Sequence, residues 1–326
     1  MSSRFKTAMK WIKFGWAGIV TELPEEWEIS GLSGDQKEGY LRLEDEFMPR
    51  LELKWSVAKS KRRNPDLHAV LDDYFKIIRK TYKKTKKDLQ IKRNVNLIKD
   101  DAFLDGYDLV FFTWKGEIQA NGLIFFCPTT RRITLIQVMG RPKQNVRAIT
   151  EQIFTSVEIE PNDQKFLWTA YNLHVEVPKN YRLEKHQLLS GYLLFSFINP
   201  GSLTDRKRRL SIERYGLADV LLKDQTLEDW FRTKYKKAIR GFGFQIESIA
   251  QNEAEHLILN GEETRVTDNI PIHSIQLANQ IKKRKCFVAH VRHCYKSNRI
   301  YVVQVVSKTD AIETADSVAE SITLYN

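Results

Sequence analysis

Residues 13–18 read KFGWAG and residues 165–170 read KFLWTA, a shift of 152. Gly39-Tyr40-Leu41 recurs as Gly191-Tyr192-Leu193 at the same shift, and LDDYF at 71–75 recurs as LEDWF at 227–231 at a shift of 156. Arg132-Ile133 followed by Gln137-Val138 recurs as Arg299-Ile300 followed by Gln304-Val305 at a shift of 167. The matches stay in order while the shift grows, as after a duplication with small insertions. A repeat of this period divides the 326 residues into two units, 1–160 and 161–326, each long enough to bury its own core. Glu160-Pro161-Asn162-Asp163-Gln164 is the expected joint, short and polar, with a proline that stops a helix.

The repeat also bears on the first residues. Arg4, Lys6, Lys10 and Lys13 before FGWAGIV resemble a signal peptide. KFGWAG has its echo in mid-chain, so the segment reads as framework and a cytoplasmic protein is expected. Three cysteines, an odd number without disulfide spacing, fit that compartment. No run is long and apolar enough to span a bilayer as a helix.

Hydropathy periods suggest an α+β class for each unit. Tyr40-Leu41-Arg42-Leu43 and Leu51-Glu52-Leu53-Lys54-Trp55 alternate as half-buried strands do. Leu67, Val70, Leu71, Tyr74, Ile77 and Ile78 recur at steps of three and four, one face of a helix opened by Asp66. YDLVFFTW and GLIFFCP are nearly continuous apolar runs, which suits strands covered on both faces. Helices are expected to close the units at about 144–157 and 311–323. The second unit repeats the order, with Leu227, Trp230, Phe231, Tyr235 and Ala238 as its helix stripe and an extra segment at about 261–280, read as a mobile loop.

This order, with Leu23-Pro24-Glu25-Glu26-Trp27 after the first strand and Ile153-Phe154-Thr155-Ser156 at the end of the closing helix, resembles the PsbP-like (DcrB-like) fold. The second copy departs partly, with Val177-Pro178-Lys179-Asn180-Tyr181 at the bend. The resemblance implies two tandem repeats, each an antiparallel β-sheet flanked by helices. It also implies a protein that binds other proteins and is not an enzyme.

Net charge is +11, with 41 acidic residues set among 52 basic ones. Charge of this size favours anionic partners without showing one. Basic clusters at 59–63, 206–209, 232–237 and 282–285 accompany a basic helix edge. Lys76, Lys80, Lys83, Lys84 and Lys87 in the first unit, and Arg232, Lys236, Lys237 and Arg240 in the second, are the candidate binding residues. A protein partner is expected; a nucleic acid or anionic surface held by paired basic helix faces is the alternative. A solvated helix face is the bland reading of the same charges.

Cys286, His290, His293 and Cys294 suggest a metal set on paper. On one strand Cys286, His290 and Cys294 share a face at steps of about 13 Å, too far for shared tetrahedral coordination, so no metal is expected. The remaining histidines, among them His256, are scattered singly and read as structural. With no Walker loop, Gly-x-Ser-x-Gly or His-Glu-x-x-His sequence, neither a cofactor nor an enzymatic activity is expected. The aromatics Phe111, Phe112, Trp114, Phe125 and Phe126 read as core or, if exposed, as a surface for an apolar peptide.

Overall fold

The structure is a computed structural model that describes residues 9–60, 63–85, 88–99, 106–162, 164–201, 208–251, 254–264 and 284–323. The chain divides into two compact units, Met1–Asn162 and Asp163–Asn326. Lys87, most of the 261–280 segment and parts of the other basic clusters lie outside the described residues.

The first unit opens with a hairpin of β1 (Trp11–Trp16) and β2 (Ile19–Pro24). Strands β3 (Glu28–Gly34), β4 (Glu38–Glu44) and β5 (Pro49–Val57) lead to helix α1 (Leu67–Thr85). Then come β6 (Gln90–Arg93), β7 (Asp108–Lys115), β8 (Gln119–Cys127), β9 (Arg132–Gly140), α2 (Arg147–Thr155) and the two-residue β10 (Glu158–Ile159). The second unit runs β11 (Lys165–Ala170), β12 (Leu173–Pro178), β13 (Arg182–Leu189), β14 (Tyr192–Asn199) and β15 (Arg208–Gly216). Three short helices follow: α3 (Ala218–Leu221), α4 (Leu227–Lys234) and α5 (Lys236–Ile239). The unit ends with β16 (Phe242–Gln251), β17 (Ala254–Glu263), β18 (Cys286–Cys294), β19 (Arg299–Ser307) and α6 (Ala311–Ser321).

The strand order is β3-β4-β5-β9-β8-β7-β6 in one sheet and β13-β14-β15-β19-β18-β17-β16 in the other, antiparallel throughout. This overturns the α+β expectation: the fold is mainly β, with 51% of the described residues in strands against 20% in helices. Two causes are visible. Polar edge strands such as RLEKHQLL (β13) bury little and lack a clean hydrophobic alternation. The second unit's long helix also breaks at Tyr235, whose ring is buried and whose backbone leaves the α region.

In the first unit Leu71, Tyr74 and Phe75 of α1 pack on Phe112, Ile124 and Phe126. Phe111, one residue on from that face, stacks on Phe154 of α2 at 6.2 Å. The continuously apolar strands are therefore covered on both sides. All five aromatics weighed as a peptide surface are buried, so they are core.

The strand ladders correct the repeat itself. Trp11 pairs with Pro24 and Lys165 with Pro178, so the hairpins correspond at a shift of 154, not 152. A slip of two keeps every side chain on its face, which hides it from any reading by hydrophobic pattern. At the corrected shift Ala17 matches Tyr171, and both begin two-residue turns with positive φ, 51° and 45°. In each unit a buried arginine donates to that residue's carbonyl: Arg132 of β9 to Ala17 O at 2.6 Å, and Arg214 of β15 to Tyr171 O. A serine at the end of the closing helix fastens the same hairpin. Glu22 N donates to Ser156 Oγ and Glu176 N donates to Ser321 Oγ, at 2.9 and 3.0 Å. The serine of the Ile-x-x-Ser pattern thus has a counterpart in the second copy, where the isoleucine is replaced by Val318.

Candidate functional site

Lys76 bonds Asp73 at 2.8 Å along α1. Lys80, Lys83 and Lys84 are exposed and make no ion pair among the described residues. Lys87 is outside the described residues. In the second unit Arg232 is held by Glu228 at 2.7 Å, while Lys236, Lys237 and Arg240 are exposed on and after α5. The two basic sets do not match in form, because a straight 19-residue helix answers a broken one of eight and four. Asp72 and Asp73 lie beyond the first turn of α1, so they serve side-chain pairs, Asp72 with Arg93 and Asp73 with Lys76.

A groove of about 550 Å³ lies between α1 and the sheet of the first unit. Its walls are Tyr74, Ile77, Ile78, Tyr82, Trp114 and Met139, with Glu52, Lys54, Thr81, Glu117 and Gln137 supplying the polar part. Tyr40 Oη donates to Glu52 Oε1 and Gln137 Nε2 donates to Glu52 Oε2, both at 2.7 Å. Trp114 Nε1 donates to Gln137 Oε1 at 3.0 Å, which fixes the amide's orientation. Lys54 Nζ sits 4.7 Å from the centre of the Tyr74 ring, a cation–π contact. Burial, then the Glu52 bond, pushes the Tyr40 phenol upward; burial, then the Glu52 charge, does the same to Tyr74. Both phenols therefore remain neutral at ordinary pH.

The stripe places Ile77 on the buried face, yet it is 64% exposed at the groove's rim. At about 100° per residue, Thr81 and Lys84 share its side of α1 and Lys80 stands next to them, while Lys76 and Lys83 turn away. The groove was not readable in the sequence, since it is space left between a helix and a sheet. The second unit treats the same place differently. Its β15 also carries a carboxylate, Glu213, but Tyr192 and Tyr215 both donate to Glu213 Oε2 at 2.6 Å. Tyr215 Oη bonds Tyr235 Oη at 2.9 Å, and both rings join the core beneath α4.

The second unit also holds a polar chain that sequence spacing does not reveal. His256 Nε2 lies 3.0 Å from His290 Nδ1, and His290 Nε2 lies 2.8 Å from Asp316 Oδ1. An ionised carboxylate only accepts, so His290 donates to Asp316 and, when neutral, accepts from His256. The three residues come from β17, β18 and α6, too far apart in sequence to be grouped. Among the described residues no group of His, Cys, Asp and Glu could hold a metal ion. Burial, then Arg292, pulls His256 down to about 4. Burial also lowers His290, against the opposing bond to Asp316. An unfolded histidine titrates near 6.5, so below that pH the unfolded chain binds protons that the folded chain refuses. Stability present at neutral pH is lost as pH falls from about 6.5 toward 4. Hydrogen exchange in β17 and β18 should accelerate beyond its intrinsic pH trend between pH 7 and 5, and His256→Gln should flatten that response. An unchanged slope in the variant would refute the assignment.

No helix among the described residues is long and apolar enough to cross a membrane. No family model matches the chain, and no curated protein matches it by sequence. Among solved structures, the chain is similar to the apo immunity protein TplEi of the T6SS from Pseudomonas aeruginosa. The alignment covers 96% of this chain and 97% of that chain at 11% identity, with a TM-score of 0.35. A score that low carries no argument about function.

Proposed function

We propose that this is a non-enzymatic binding protein whose first unit takes an acidic peptide segment of a partner, with one apolar side chain seated in the groove beneath α1. The carrying observation is the combination on one helix edge: Ile77 exposed at an apolar groove, with Lys80 and Lys84 beside it, exposed and in no ion pair among the described residues. A groove of about 550 Å³ accommodates a large aliphatic or aromatic side chain, in the usual range for ligand pockets. Lysines on the rim meet acids flanking that anchor and speed the encounter. The PsbP-like resemblance points the same way, as does the contrast with the second unit, where tyrosines crowd the corresponding carboxylate. Three free cysteines, two of them buried, suit work in a reducing cytoplasm.

The alternative, a nucleic acid or anionic surface held by the basic faces, is supported by the exposed Lys80, Lys83, Lys84, Lys236, Lys237 and Arg240. One titration separates the two. The probes are a fluorescein-labelled glutamate-rich decapeptide with a central Phe, the same peptide with Ser there, and a single-stranded oligonucleotide of equal charge. The Phe peptide should bind, the Ser peptide about tenfold more weakly, and Ile77→Glu should remove the difference. Oligonucleotide binding that ignores Ile77→Glu would favour the alternative, and flat curves with all three probes would refute both.

A further inference from the structure

A second cleft in the first unit lies on the other face of the sheet, where β6, β7 and β8 meet the start of α2. It holds about 270 Å³, and nine of its ten lining residues are polar. Three are cations from three elements: Lys92 of β6, Lys115 at the end of β7 and Arg147 at the start of α2. All three are exposed, none makes an ion pair among the described residues, and no carboxylate lines the cleft. Like charges converging on one concavity repel each other and focus a positive potential there. The amides around them are braced: Gln119 Nε2 donates to Arg141 O at 3.0 Å and to Gln144 O, and Asn121 Nδ2 donates to Thr150 Oγ1 at 3.0 Å. The first turn of α2 carries no acid and does carry Arg147, the reverse of what the helix dipole favours.

The second unit supplies an internal comparison. At the shift of 167 its β18 begins with Cys286 where β8 begins with Gln119, and Glu262 pairs with Cys286 where Lys115 pairs with Gln119. The cleft there, between Cys286 and the start of α6, is lined by Asp310, Glu313, Asp316 and Glu320, with Lys308 as its one cation. One scaffold therefore carries opposite charge at the same place, so the fold itself does not demand cations there.

We infer that the first unit's cleft binds a small phosphate-bearing molecule, with Lys92, Lys115 and Arg147 as its anion ligands. The site is separate from the groove beneath α1 and does not depend on it.

Isothermal calorimetry on the full chain with pyrophosphate, and with inorganic phosphate, tests the assignment at fixed ionic strength. Saturable binding is expected, weakened at least tenfold by Lys92→Gln with Lys115→Gln and again by Arg147→Gln. Lys223→Gln, a basic surface change in the second unit, should leave it unchanged. Thermal unfolding of each variant checks that the fold is intact. Pyrophosphate heats that do not saturate, or that fall equally with Lys223→Gln, would overturn the assignment. So would a 5′-phosphorylated oligonucleotide that binds without being displaced by pyrophosphate, since the occupant would then be a polymer held elsewhere on the basic surface.

Discussion

Phe75→Ala lowers the stability of the first unit by about 3–5 kcal/mol, the range for removing a buried phenyl ring. Phe75 is fully buried, meets Phe112 edge-on at 5.3 Å and lies 5.6 Å from Tyr74. The Arg93 guanidinium covers its other side at 5.2 Å. Without the ring α1 loses its central anchor, and the groove bounded by Tyr74 and Ile77 loses a wall. Hydrogen exchange followed by mass spectrometry reads this directly: protection in α1, β7 and β8 drops while β17 and β18 keep theirs. Phe231→Ala gives the mirror result, because Phe231 occupies the matching place in α4 and is equally buried. Equal loss in both units from either substitution would mean that the units do not unfold separately.

Arg132→Met costs the first unit about 3 kcal/mol, since a buried charged donor leaves two acceptors behind. The guanidinium is 5% exposed and donates to Ala17 O at 2.6 Å and to Gln36 O at 2.8 Å. Burial pulls its pKa down, though an arginine remains charged across the accessible range. The hairpin of β1 and β2 should exchange first, before the seven-stranded sheet. The sharper test is Arg299→Met. Arg299 is the residue that matches Arg132 by sequence, yet Arg214 holds the second hairpin's turn. Arg299→Met should therefore cost little and Arg214→Met about as much as Arg132→Met. Reversal of that order would refute the role given to the buried arginines.

The sequence carried the duplication, the order of most strands in each copy and most buried faces, but not the mainly-β class. Alternation marked β4 and β5 because one side of each strand is core, and α1 showed its stripe because Leu67, Leu71 and Tyr74 on it are buried against the sheet. What escaped has physical causes. A strand's period of two makes slips of two invisible, so only the ladders gave the shift of 154. Edge strand β13 pairs on one side and buries few residues, so it lacks an apolar signature. The break at Tyr235 answers a phenol's need for Tyr215, a partner twenty residues away. His256, His290 and Asp316 meet only after three elements pack. Ile77 fits the helical stripe perfectly well as a pattern; it is exposed because the sheet below it is lined by Trp114 and Met139 short of contact, leaving the groove.

The serine clips carry a consequence for how the chain is made. In each unit the first hairpin lies outside the seven-stranded sheet and is fastened by the last helix, through Ser156 in one case and Ser321 in the other. In the first unit β10 adds a second fastening, pairing Glu158 with Val20 and Ile159 with Ile19. A nascent chain therefore waits with its opening hairpin unsecured until the residues near 160 have left the ribosome. At that moment the first unit closes on itself, before any strand of the second has emerged. Two similar sheets in one chain invite exchange of strands between them during folding. Early closure removes the first unit from that competition.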